Sequence, residues 1–119
     1  MSKRALIVDD NRCLAEDLSE ILEAEGYQVR FFDDPLEALR ASPMLRFDVA
    51  VLDVRMPAMD GPALYRALRR LHPAASFILM SAYTEDEKVA QALSAGVRCV
   101  LTKPIPLATF VSTLRELTQ

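Results

Sequence analysis

Two short stretches, Ala5-Leu6-Ile7-Val8 and Val49-Ala50-Val51-Leu52, are unbroken apolar runs, and each is stopped by acid: Asp9-Asp10 after the first, Asp53 after the second. A strand with no polar alternation has no face for water, so it must be covered on both sides. Strands of this kind suit a parallel sheet with helices above and below it.

The rest of the chain supplies those helices. Leu14, Leu18, Ile21 and Leu22 lie on one helical face, which ends at Gly26, a residue suited to a left-handed cap. Tyr27 to Phe32 reads as a strand. Pro35, Leu36, Leu39 and Arg40 suggest a shorter helix closed before Pro43. After the run at 49–52, Asp60, Gly61 and Pro62 open a helix carrying Leu64, Leu68 and Leu71, with Asp as the cap and Pro in the first turn. Phe77 to Met80 is a strand ending at Ser81, and Glu85 to Ala95 a helix closed by Gly96. Val97 to Leu101 is the fifth strand, reaching Thr102-Lys103-Pro104. Leu107, Phe110, Val111, Leu114 and Leu117 mark the last helix. Strand then helix, five times over, predicts an α/β fold: a doubly wound five-stranded parallel sheet flanked by five helices, as one domain over residues 1–119. No repeat, low-complexity segment or linker interrupts it.

Composition narrows the partners. Seventeen acids against 14 Lys and Arg leave a formal charge of −3, where a nucleic-acid-binding surface would bring a basic excess. Cys13 and Cys99 fall in different elements with no CxxC spacing, and are expected to be reduced, part-buried thiols. The start of the chain lacks the apolar core of a signal peptide and no run approaches membrane-spanning length, so a cytoplasmic protein without membrane contact is expected.

In a parallel sheet every strand's carboxyl end lies on one edge, and ligands bind there. Asp9 and Asp10, Asp53, Ser81 and Lys103 all close strands, so three carboxylates, a hydroxyl and an amine converge. Singly each has a bland role: Asp9 or Asp10 caps a helix, Ser81 is a loop residue, Lys103 is solvated. Jointly, clustered carboxylates call for a hard divalent cation; Mg²⁺ takes a few carboxylates and keeps waters. A carboxylate is also a nucleophile toward phosphorus, and phosphoryl transfer needs mainly positioning and charge neutralisation.

The motifs Leu-Ile-Val-Asp9-Asp10-Asn11, Asp53-Val-Arg-Met-Pro57 followed by Met59-Asp60-Gly61, Met80-Ser81-Ala82 and Thr102-Lys103-Pro104 resemble those of the response-regulator receiver domain, and the resemblance covers essentially the whole chain. It implies a flavodoxin-like sheet of order 2-1-3-4-5, the order given for this fold class with the chemotaxis receiver as its example. It implies Asp53 as phosphoacceptor. Asp10 binds Mg²⁺ directly (Mn²⁺ being the alternative), Asp9 mainly through water, and the Arg55 backbone carbonyl is a further ligand. Ser81 and Lys103 hold the phosphoryl group, and the Lys103–Pro104 bond is cis. The implied donor is a phosphohistidine on a histidine kinase or histidine phosphotransfer protein. The implied output is an unidentified downstream protein or effector domain, with a phosphorylation-linked dimer among the arrangements allowed. The receiver is not an enzyme on a separate substrate; it only accepts the group and loses it slowly. His72, before Pro73 at a helix end, is expected to be exposed rather than a phosphocarrier.

One position departs from the pattern. Many receivers carry an aromatic three residues before the lysine, which rotates with the switch; here it is Val100. Arg55 and Tyr83, two positions after Asp53 and Ser81, are expected to border the path of an attacking water. Two other readings compete. A haloacid-dehalogenase-type phosphatase resembles this site in its Asp nucleophile and Mg²⁺, but its second acid would stand where this chain has Arg55. An interaction module on the same fold has no need of the five polar residues. The chain ends soon after the last helix, so no effector domain is expected within it.

Overall fold

The computed structural model describes residues 2–82 and 87–119. In chain order the elements are β1 (Arg4–Val8), α1 (Arg12–Ala24), β2 (Gln28–Phe32), α2 (Pro35–Ala41), a 3₁₀ turn (Ser42–Met44), β3 (Val49–Asp53), α3 (Gly61–Leu71), β4 (Ser76–Ser81), α4 (Glu87–Ser94), β5 (Cys99–Thr102) and α5 (Leu107–Leu117). The five strands are parallel, in the order β2-β1-β3-β4-β5.

The two-residue period of a strand divides the central sheet between two cores. Leu6, Val8, Ala50, Leu52, Phe77 and Leu79 point to one face, where Leu64 and Leu68 of α3 and Val89 and Ala92 of α4 cover them. Ala5, Ile7, Val49, Val51, Ile78 and Met80 point to the other, against Leu18 and Leu22 of α1 and Phe110 and Leu114 of α5. Burial on both faces therefore holds for β1, β3 and β4. The edge strands β2 and β5 are only half-buried, because each has a neighbour on one side alone.

Several boundaries differ from expectation, each for a hydrogen-bonding reason. Tyr27 lies outside β2: its N–H closes α1 onto the Leu22 carbonyl at 3.0 Å, past Gly26 at φ +94, and its buried hydroxyl meets Thr118 Oγ1 at 2.8 Å. Val97 likewise caps α4 by donating to Ala92 O, so β5 begins at Cys99. Pro43 does not stop the chain after α2 but sits within the 3₁₀ turn. Neither Asp9 nor Asp10 caps α1; Asn11 does, accepting from the Leu14 N–H at 3.1 Å. Asp60 caps α3 as expected, accepting from the Ala63 N–H at 2.9 Å. The start expected for α4 at Glu85 lies outside the described residues. His72 is half-buried rather than exposed: its ring lies 4.3 Å from that of Phe47, and Nε2 is 2.9 Å from Ser42 O. Cys99 is half-buried as expected, whereas Cys13, on the outer face of α1, is exposed.

The loop from β3 to α3 contains one strained residue. Ala58 has φ +70, and Met59 N–H donates to Pro57 O at 2.8 Å, an i to i+2 bond around a positive central φ. An L-residue there costs roughly 1–2 kcal/mol, while glycine loses more chain entropy on folding, about 0.4–1 kcal/mol. Ala58→Gly is thus expected to stabilise the protein slightly, by up to about 1 kcal/mol, and Ala58→Val to destabilise it. Urea midpoints of the two variants check this; a lower midpoint for Ala58→Gly contradicts it.

Candidate functional site

The carboxyl edge of the sheet gathers the predicted residues. Val8 pairs with Leu52, so the next residues, Asp9 and Asp53, leave two adjacent strands side by side. On the other flank Asp53 pairs with Met80 and Ser81 with Thr102, and Lys103 N–H donates to Ser81 O at 2.8 Å. The register alone thus brings Asp9, Asp53, Ser81 and Lys103 together. Asp9 is fully buried, Asp53 is 7% exposed and Ser81 2%.

Lys103 reaches back into the acids. Its Nζ donates to Asp9 Oδ2 and to Asp53 Oδ1, each at 2.9 Å, and the Lys103–Pro104 bond is cis. The second Asp9 oxygen accepts from the Asn11 N–H at 2.9 Å. Asn11 therefore both caps α1 and holds Asp9 in place. That role was readable in the run Asp9-Asp10-Asn11 directly before a helical pattern, but sequence inspection gave it only to the motif. Asp10 is exposed, with no protein hydrogen bond among the described residues.

Burial pushes the Asp53 carboxyl up to about 6; the Lys103 hydrogen bond opposes the rise, and the charges of Asp9 and Asp10 add to it. Burial also works against the Lys103 ammonium, but its bonds to Asp9 and Asp53 outweigh that and hold its pKa above the ordinary lysine value. One ammonium among three carboxylates leaves the cluster short of positive charge. Oxygens of Asp9, Asp10 and Asp53 lie within 4.8 Å of one another, which is the all-oxygen, partly open donor set that suits a hard divalent cation.

A cavity of about 210 Å³ opens beside this cluster, lined by Asp53, Val54, Arg55, Ser81, Ala82 and Lys103. The Asp53 carboxylate, the Ser81 hydroxyl and the Lys103 ammonium thus share one small space. Tyr83 lies outside the described residues. Val100, in β5 beside Leu79, packs its half-buried side chain into the cluster that contains Val89 and Ala92 of α4. Sequence inspection did not find the link between α4 and this edge: Lys88 forms an ion pair with Asp60, the cap of α3. Desolvation pushes the Asp60 carboxyl up, but the Lys88 bond, the Ala63 N–H and the nearby charges of Lys88 and Arg66 together hold it below its ordinary value. A lysine 28 residues away carries no sequence signal for such a pair.

Comparison with known proteins agrees with this geometry. The family model for the response regulator receiver domain matches residues 5–115. A response regulator receiver protein of Anaeromyxobacter sp. (strain Fw109-5) is 41% identical over 103 residues, covering 87% of this chain and 43% of its own length. The response regulator MprA of Mycobacterium ulcerans (strain Agy99) is 35% identical over 117 residues, covering 98% of this chain and 50% of its own length. The chain thus spans about half the length of these relatives. Among solved structures, a CheY-like receiver domain protein from Methanospirillum hungatei JF-1 superposes with a TM-score of 0.92 at 29% identity, over 98% of this chain and 93% of that one. With its five-stranded sheet in the order 2-1-3-4-5 and its acids, hydroxyl and lysine on the carboxyl edge, the chain belongs to the response-regulator receiver domains of two-component signalling.

Proposed function

We propose that the chain is a phosphorylation switch in which Asp53 accepts a phosphoryl group and the resulting change alters partner binding. The observation that carries this reading is the placement of a buried Asp53 carboxylate, bonded to Lys103, at the mouth of a cavity of about 210 Å³ that also holds Ser81.

Asp10 and Asp53, with Asp9 chiefly through water and the Arg55 carbonyl, would hold Mg²⁺ or Mn²⁺. Both Asp9 oxygens are already engaged by Asn11 and Lys103, which suits an indirect role. The bound cation would supply positive charge against the phosphoryl oxygens. Receivers of this family work with histidine kinases, and the donor for this chain is a phosphohistidine on a kinase or phosphotransfer protein. An Asp53 oxygen forms the new O–P bond as the donor's P–N bond breaks, and the electron pair returns to the imidazole. The Lys103 ammonium and Ser81 hydroxyl stabilise the charge on the transferred group. The output face is formed by α4, β5 and α5, where Leu93 and Leu107 are exposed. With Val100 in place of an aromatic, its response is expected to be weak. Among the described residues no helix is long and apolar enough to cross a membrane, and we place the protein in the cytoplasm.

Incubation with acetyl phosphate and Mg²⁺ tests the reading. Slow uptake of one phosphoryl group per chain supports it. Rapid turnover of many equivalents points to an enzyme, and no uptake to an interaction module. A second measurement concerns persistence. Arg55 lines the cavity and is suited to pairing with phosphoryl oxygens, and Tyr83 would add bulk against an in-line water. Arg55→Ala with Tyr83→Ala is therefore expected to speed loss of the phosphoryl group several-fold when decay is followed in excess Mg²⁺ without donor. An unchanged decay would remove the shielding role and leave Asp53 untouched.

A further inference from the structure

We propose that Lys88 is the positioning residue through which the phosphoacceptor loop sets the place of α4, an inference that rests on the phosphoacceptor reading of Asp53. Among the described residues the two ends of α4 are held differently. At the carboxyl end, Tyr65 Oη donates to the Ala95 carbonyl at 2.9 Å, and Arg69 donates to the same oxygen and, at 3.2 Å, to the Tyr65 hydroxyl. Gly96, at φ +111, leaves room for that hydroxyl, since a Cβ would come within 2.9 Å of it. This end is clamped to α3. Along its length α4 buries only Val89 and Ala92. Near its amino end Lys88 reaches Asp60 through an ion pair whose side chains are 40% and 26% exposed. A partly exposed pair of this kind contributes little to stability, about 0.2–1 kcal/mol, so it biases α4 without locking it.

Asp60 is well placed to report on Asp53. The next residue, Gly61, donates its N–H to Val54 O at 2.9 Å, and a Cβ on it would lie 2.3 Å from the Asp53 carbonyl oxygen. The peptide bearing the phosphoacceptor and the cap of α3 are thus in direct backbone contact. A change in the Asp53 backbone moves Asp60, and through Lys88 it moves the amino end of α4 about the clamp at Ala95. This route needs no ring at position 100, where the chain has Val100.

On this proposal the Lys88–Asp60 pair is stronger before phosphoryl transfer than after it, and by linkage removing it then favours the occupied state. The test compares wild type, Lys88→Met, Lys88→Arg and Asp60→Asn, the last keeping an acceptor for the Ala63 N–H. Each is titrated with beryllofluoride and Mg²⁺, with bound fluorine read by ¹⁹F NMR and backbone shifts by ¹⁵N NMR. In wild type the shift changes should be larger over 87–92 than over 95–97. In Lys88→Met the free protein should show 87–92 shifted toward the bound positions, and beryllofluoride should bind up to about fivefold more tightly, the most an exposed pair of this strength allows. Asp60→Asn should behave the same way, and Lys88→Arg like wild type. If Lys88→Met keeps the full wild-type shift changes and affinity, Lys88 does not position α4. If wild type gives no bound fluorine signal at all, the phosphoacceptor reading itself fails and takes this proposal with it.

Discussion

Asp53→Asn should gain no phosphoryl mass on the peptide containing residue 53 when treated with acetyl phosphate and Mg²⁺, while wild type gains one group. The amide is a poor nucleophile toward phosphorus and removes one of the three carboxylate charges that would hold the cation. The same substitution should make the metal-free protein more stable. Burial and the neighbouring acids raise the Asp53 carboxyl to about 6, and each pK unit above the unfolded value is about 1.4 kcal/mol of penalty on its charged form at neutral pH. Asn carries no such penalty, so a gain on the order of 1–3 kcal/mol is expected at pH 7 without Mg²⁺. Added Mg²⁺ should stabilise wild type and leave the variant nearly unchanged. Thermal unfolding with and without Mg²⁺ reads both effects. Uptake at residue 53 in the variant at the wild-type rate would refute the assignment, and a variant less stable than metal-free wild type would refute the charge argument.

Gly61→Ala is expected to have the second large effect, and its sign separates two physical arguments. Judged by helix propensity, alanine at the start of α3 should help by up to about 1 kcal/mol. Judged by packing, the new Cβ would sit 2.3 Å from Asp53 O and 3.0 Å from both Asp53 C and Val54 Cα. These are backbone atoms at the end of a fully buried central strand, so no side chain can swing aside. Either α3 or β3 must shift, and overpacking of this kind costs roughly 1–3 kcal/mol. The close contact should win, giving a lower urea midpoint, loss of the Gly61 to Val54 hydrogen bond and markedly slower phosphorylation of Asp53. A rise in stability would mean that the close approach is not present in solution.

The Gly61 case also shows where sequence legibility stops. Asp60-Gly61-Pro62 is readable as a helix start, because a capping acid and a first-turn proline act within a few residues of one another. Nothing local says that Gly61 lies against the backbone of Asp53, eight residues earlier and across a loop, or that Lys88 is bonded to Asp60. His72 is similar. Its place before Pro73 suggests an exposed end, yet the 3₁₀ turn after α2 and Phe47 close over it. Cys13 errs in the opposite direction, lying on the solvent side of α1.

What the sequence determined by itself is the architecture and the identity of the residues on the active edge. Unbroken apolar strands alternating with amphipathic helices leave a parallel, doubly covered sheet as the packing solution, and strand-end positions in such a sheet share one edge. Asp9, Asp10, Asp53, Ser81 and Lys103 could therefore be named from their places after successive strands. Only the tertiary structure decided how they meet: that Lys103 bridges Asp9 and Asp53, that Asn11 holds Asp9, and that α4 is clamped at Ala95 and tied at Lys88. The reason is range. Periodicity, caps and turns act over a few neighbouring residues and leave a pattern in the chain. A hydrogen bond between residues 28 or 94 positions apart depends on the register of strands and the packing of helices, which no local pattern records.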